Sequence, residues 1–265
     1  MTTANVKIKR NGRDVQLECA WVGDMSARET MVFLHEGLGS VAMWKDFPHT
    51  LCSALGMRGL VYSRYGYGES TPRPPEERWD PTFMHMEAQN VLPQLLAALK
   101  INRPWLFGHS DGASIALLYA ATFPKAIPGV IAVAPHVFVE TLSIESIEAA
   151  RDLYIRSGLR DKLARYHNDV DSAFWGLNDV WLSNEFRDWN ITDALPHIEA
   201  PTLAIQGEDD EYGTAAQVET VAREVQRGEL MLIPDCKHSP HRDQPELVIE
   251  AVTTFVRETR ETIQR

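Results

Sequence analysis

Residues 108–112 read Gly108-His109-Ser110-Asp111-Gly112. The apolar run Pro104–Phe107 precedes them, and a helical pattern over Asp111–Thr122 follows. A G-x-S-x-G stretch between a strand and a helix is a sharp turn that strains the serine backbone and lifts its hydroxyl above a sheet. Gly108, Gly112 and Ala113 are small because strand and helix nearly touch there. The helix starting at Asp111 aims its first amides at the place where a negatively charged oxygen would form.

Outward from this turn, short apolar runs alternate with helical spacings. Val6–Lys9 and Val15–Leu17 flank Asn11-Gly12, a tight-turn pair, and predict a hairpin. Strands are expected at Thr30–Leu34, Gly59–Tyr62, Pro104–Phe107 and Gly129–Ala134, with helices over 40–55, 82–100 and 111–122. The alternation implies an α/β chain with a doubly wound, mostly parallel sheet. It stops at about His136. For about 60 residues the text is helical, charged and aromatic, which reads as an inserted helical cap over 136–196. Strand and helix then resume with Thr202–Gly207, Ala215–Arg227, Glu229–Pro234 and a final helix from Pro245. The expected division is a core of 1–135 and 197–265 around that cap.

A serine hydroxyl is a weak nucleophile without a base. Of the nine histidines, His238 follows the last expected strand, in a loop at the same sheet edge as Ser110. His241 is the next choice. His238-x-x-His241 also has the spacing of a metal pair, but no third ligand lies nearby in the sequence. The base needs an acid to set its tautomer. The loop Gly207-Glu208-Asp209-Asp210-Glu211 follows a strand at that edge; Asp210 is the first choice, then Asp209, then Glu140. The alternative for this acidic run is a solvated helix entry, its Asp side chains capping the helix that follows. Two amides should cradle an oxyanion: that of Asp111, and one from His35-Glu36-Gly37-Leu38-Gly39-Ser40, with Gly37 ahead of Leu38.

Five motifs in this order resemble the α/β-hydrolase fold superfamily across nearly the whole chain: residues 35–40, Arg64–Ser70, the GHSDG turn, 207–210 and His238–Pro245. The resemblance implies an eight-stranded sheet, a cap inserted after strand six and a serine esterase-like route through a covalent acyl-enzyme. Its expected substrate is a small carboxylic ester, lactone or thioester. Two positions depart from the pattern: Glu36 stands where family members carry glycine after the histidine, and Lys237 stands where glycine precedes the base.

Other readings compete. Gly37-Leu-Gly-Ser-Val-Ala42 matches a dinucleotide fingerprint, but Glu36 would repel a pyrophosphate and the next strand ends at Ser63-Arg64 rather than in an acid. A dehalogenase or epoxide hydrolase would need aspartate at 110. Carbon–carbon hydrolysis, cofactor-free haloperoxidase chemistry and a non-catalytic small-molecule receptor use the same frame. Arg64 reads as a loop residue closing the sheet edge, and His109 as packing inside the turn. The insertion's Phe174, Trp175, Trp181, Phe186 and Trp189 form either its own core or a pocket wall.

Composition sets the outer limits. The 265 residues carry 26 Lys and Arg against 37 Asp and Glu, a formal charge of −11. Nucleic acid and anionic membranes, which need a basic face, are not expected partners. Cys19, Cys52 and Cys236 are too scattered for a disulfide framework or a zinc site. With no signal-like apolar core near the start and no long apolar run, a cytoplasmic location is expected. No cofactor and no metal are expected, and homo-oligomer formation stays open.

Overall fold

The computed structural model describes residues 2–264. β1 (Thr2–Arg10) and β2 (Arg13–Gly23) form the hairpin, turning at Asn11 and Gly12 with φ of 50° and 77°. Both strands run longer than the sequence pattern indicates. The other strands are β3 (Thr30–Leu34), β4 (Arg58–Tyr62), β5 (Trp105–His109), β6 (Val130–Val133), β7 (Thr202–Gly207) and β8 (Gly228–Ile233). Together they make one eight-stranded sheet in the order β1-β2-β4-β3-β5-β6-β7-β8. The β1–β2 and β2–β4 pairs are antiparallel; every later pair is parallel.

Burial explains the parallel part. All five residues of β3 and all five of β5 are buried, as strands covered on both faces must be. Along β3, Val32 and Leu34 enter one apolar cluster and Met31 and Phe33 the other. α3 (Leu92–Ala98), α4 (Asp111–Thr122) and α8 (Ala216–Glu224) pack into the first cluster. α1 (Phe47–Leu55) and α10 (Pro245–Gln264) cover the second. In α10 the burying residues are Val248, Val252, Phe255 and Val256, spaced to share one helix face. β3 lies between β4 and β5, so strand order reverses there. The loops after β3 and β5 therefore part and leave a crevice at the carboxyl edge.

Two expected helices differ in detail. The stretch 40–55 breaks at Lys45, whose φ is 53°; a short 3-10 turn (Val41–Trp44) comes before it and α1, with Pro48 in its first turn, after it. The stretch 82–100 is α2 (Phe83–Met86), a π-helical turn (Glu87–Val91) and α3. Pro93 follows that wide turn; it has no N–H to donate and its ring crowds the carbonyl four residues back, so the ladder shifts register.

Between β6 and β7 the described chain is helical: α5 (Thr141–Arg156), α6 (Leu159–Leu163), α7 (Val170–Trp181) and 3-10 turns at Asn184–Phe186 and Thr192–His197. Its entry and exit are stitched together. Phe138 and Asn190 form an isolated bridge, the Val139 amide donates to the Trp189 carbonyl at 3.2 Å, and the Ile191 amide to the Val137 carbonyl at 2.8 Å. Among the described residues no helix is long and apolar enough to cross a membrane. The three cysteines are buried and unpaired.

Candidate active site

Ser110 is the hinge between β5 and α4, with φ 53° and ψ −123°. The flanking glycines explain how it fits. A Cβ at Gly108 would strike the Gly112 carbonyl oxygen, and one at Gly112 would strike the Leu34 carbonyl oxygen. The serine is 7% exposed, and its hydroxyl faces a cavity.

His238 lies in the loop between β8 and the short α9 (Pro240–Asp243), which the sequence pattern did not indicate. Its Nδ1 stands 2.8 Å and 2.9 Å from the two Asp210 oxygens, and its Nε2 3.0 Å from Ser110 Oγ. A carboxylate only accepts hydrogen bonds, so Nδ1 carries the proton. Nε2 is left to accept from the serine hydroxyl. Asp210 is held by the turn after β7: the Tyr212 and Gly213 amides donate to its Oδ1 at 2.8 Å and 3.3 Å. Burial pushes the Asp210 carboxyl up, but the hydrogen bond and charge of His238 and the Tyr212 amide outweigh it and hold the group below its ordinary range. The structure thus brings Ser110, His238 and Asp210 into one hydrogen-bonded line.

The alternatives fall elsewhere. Asp209 is exposed, and its amide donates to the Cys236 carbonyl at 2.9 Å. The Glu140 carboxylate accepts from the Thr214 amide and hydroxyl and from Gln217. His241 is buried against Trp44, Phe47 and His109. Among the described residues no three His, Cys, Asp or Glu side chains converge as metal ligands would.

The loop after β3 forms the opposite lip. Residues 36–39 make a tight turn, closed by the Gly39 amide donating to the Glu36 carbonyl at 3.1 Å. Gly37 and Leu38 both line the cavity with Ser110 and Asp111. A Cβ on Gly37 would come within 2.7 Å of the Leu177 methyls in α7, so a side chain there would push that leucine aside. Neither the Gly37 amide nor that of Asp111 has an acceptor among the described residues.

Some site residues carried no role in the sequence reading. Glu36 lies 3.4 Å from His109 Nδ1, and His109 Nε2 donates to the His238 carbonyl at 2.8 Å. Burial would raise the Glu36 carboxyl, yet its contact with His109 holds it below its ordinary range. His136, just past β6, lines the cavity with its ring 5.8 Å from that of His238. Burial and the nearby His238 hold it down at about 3, so it is neutral. Its place at the carboxyl end of a parallel strand is the one signal that could have found it. Tyr212 packs its ring 4.7 Å from that of His238.

The cavity encloses about 320 Å³. Its far wall comes from α5, α6 and α7: Ile147, Leu159, Leu163, Phe174, Leu177 and Trp181. The aromatic residues of the insertion divide. Phe174 and Trp181 face the cavity, Trp175 packs on Tyr154 and Phe174, and Phe186 stacks on Trp189 and reaches Phe83 in the body of the fold.

Known proteins agree with this architecture. Human serine hydrolase BPHL is 27% identical over 196 residues, 69% of this chain and 63% of that protein. The chain thus matches less than two thirds of that relative's length. The mouse sn-1-specific diacylglycerol lipase ABHD11 is 23% identical over 253 residues, covering 85% of this chain and 80% of that protein. A thermophilic esterase from Thermogutta terrifontis superposes with a TM-score of 0.75 at 20% identity, over 98% of this chain and 99% of its own. The profile of the alpha/beta hydrolase family matches residues 31–251, from β3 into α10, and with the sheet order above it shows that this chain belongs to the alpha/beta hydrolase family.

Proposed function

We propose that the chain is a serine hydrolase acting on a small carboxylic ester, lactone or thioester. One observation carries the reading: the Ser110 hydroxyl, 3.0 Å from a histidine whose other nitrogen rests on a buried carboxylate, opens into a largely apolar cavity. In this reading His238 Nε2 takes the hydroxyl proton as Ser110 Oγ attacks the carbonyl carbon. The carbonyl oxygen becomes an oxyanion, cradled by the Gly37 and Asp111 amides. His238 then gives its proton to the leaving alcohol or thiol as the carbonyl–leaving-group bond breaks. Water, deprotonated by His238, attacks the acyl carbon; the bond to Ser110 Oγ breaks, His238 returns the proton to Oγ, and the acid leaves. Asp210 stays ionised throughout and stabilises the imidazolium. No step calls on a metal or an organic cofactor.

The helical segment over 136–196 acts as a cap that roofs the acyl pocket. A cavity of about 320 Å³ is at the small end of ligand sites, which supports a compact substrate with an apolar or aromatic group. The unpaired thiols support a reducing, cytoplasmic setting.

The test is hydrolysis of p-nitrophenyl esters of increasing acyl length, wild type beside Ser110→Ala, with fluorophosphonate labelling of both. Turnover and labelling lost together in the variant establish Ser110 as nucleophile. A folded wild type that neither labels nor turns over any ester overturns the reading and leaves a small-molecule receptor.

A further inference from the structure

A buried arginine stands behind the loop that carries Gly37. Arg64 follows β4 and is 1% exposed. Its Nη2 donates to the Glu36 carbonyl at 2.9 Å. His35 Nδ1 donates to the same oxygen at 2.6 Å. The tautomer of His35 follows from its other nitrogen, which accepts from the Arg64 amide at 2.9 Å. The guanidinium also lies 3.7 Å from the Asp111 carboxyl and 4.9 Å from the centre of the Tyr67 ring.

Peptide geometry gives these contacts a consequence. A trans peptide points its C=O and the following N–H in opposite directions. With the Glu36 oxygen anchored toward Arg64, the Gly37 N–H is turned away from it, on the residue that lines the cavity beside Ser110. Donation into a carbonyl also polarises its peptide and strengthens the N–H as a donor. The other unengaged amide belongs to Asp111, whose side chain the same guanidinium faces.

We propose that Arg64 is the positioning residue of the oxyanion cradle, setting the Gly37 amide through the Glu36 carbonyl it holds. The proposal rests on the reading of Ser110 as nucleophile. Arg64 is not part of the cavity wall, so it acts without touching substrate. It is therefore more than a residue closing the sheet edge. A purely structural role is the competing account, because the carboxyls of Asp111 and Glu87 are buried near it and Glu87 Oε2 has no partner.

Arg64→Lys and Arg64→Met separate the two. Lysine keeps the charge but not the planar fork. The Met variant is also made with Glu87→Gln, which removes a carboxyl that would otherwise be left buried without its cation. Rates are normalised to Ser110 titrated with fluorophosphonate, so unfolded protein drops out. Each variant is assayed on a matched oxoester and thionoester, because sulfur fits poorly among donors placed for oxygen. The expected result is a kcat loss of about 10–100-fold on the oxoester with KM unchanged, and an oxoester preference that shrinks with it. Variants that keep the wild-type kcat per titrated site and the same oxoester preference, whatever their Tm, overturn the proposal while the Ser110 reading stands. A wild type that does not label takes both down.

Discussion

Two carboxyl–histidine pairs lie side by side at the carboxyl edge of the sheet, and they end differently. In one, both Asp210 oxygens meet His238 Nδ1, and Nε2 ends on the Ser110 hydroxyl. In the other, Glu36 faces His109 Nδ1 at 3.4 Å, and Nε2 ends on the His238 carbonyl. The two rings are 5.2 Å apart. The far nitrogen decides what each pair can do. A hydroxyl has a proton to give up; a carbonyl oxygen can only accept. The first pair can move a proton, and the second can only brace the loop that holds the first. The brace also places the His109 ring beside the carboxylate that this chain carries in place of glycine.

The largest effect should come from breaking the first pair at its end. Ser110→Ala or His238→Ala should lower kcat by about 10⁴–10⁶, and the double variant should be no worse than the poorer single one. Additive losses would mean that the two do not act as a unit. Next comes the acid. Asp210→Asn should cost about 10³–10⁴ in kcat, because the amide can hold His238 in the wrong tautomer. Asp209→Asn should stay near wild type in the same ester assay; a larger loss at 209 would reverse the assignment.

The second pair should be far less sensitive. His109→Gln should reduce kcat by about tenfold or less, through a looser His238 backbone, and lower the Tm measured by calorimetry. A loss as deep as that of His238→Ala would make His109 part of the relay and erase the contrast.

The smallest effect is on stability with pH. His136 is held down at about 3 against an ordinary 6.5, first by burial, and His35 and His241 are also held well below it by burial. Between these values the unfolded chain binds protons that the folded chain does not, so stability falls as pH drops through about 6.5 toward 3. Thermal melts should show it, and His136→Asn should make the slope shallower by at most one proton. A Tm that does not change over this range would mean that the buried rings are charged in the fold.

Much of this was legible along the chain, for particular reasons. Ser110 could be found because strand, turn and small flanks are local features, readable within a dozen residues. His238 and Asp210 could be placed because loops after parallel strands share one edge. Choosing Asp210 over Asp209 from spacing alone left both open; the turn in which the Tyr212 and Gly213 amides grip one side chain separates them. The break at Lys45 and the wide turn before Pro93 were missed, since apolar spacing reports a face and not the local hydrogen-bond ladder. Arg64 and the Glu36–His109 pair were missed because their partners are distant in sequence: the contact from Arg64 to the Glu36 carbonyl spans 28 positions and that between His109 and Glu36 spans 73.

The sequence by itself determined the alternation of strands and helices, a mostly parallel sheet and the edge where Ser110, Asp210 and His238 meet. Hydrophobic period and turn chemistry are properties of neighbouring residues, so they survive without coordinates. Only the tertiary structure decided which of several acids and histidines meet, which aromatic residues of the insertion face the cavity, and that a buried arginine stands behind the Gly37 loop. Those outcomes depend on ångström-scale approaches between segments far apart in the chain, and on which polar groups packing leaves without water and so forces to find partners.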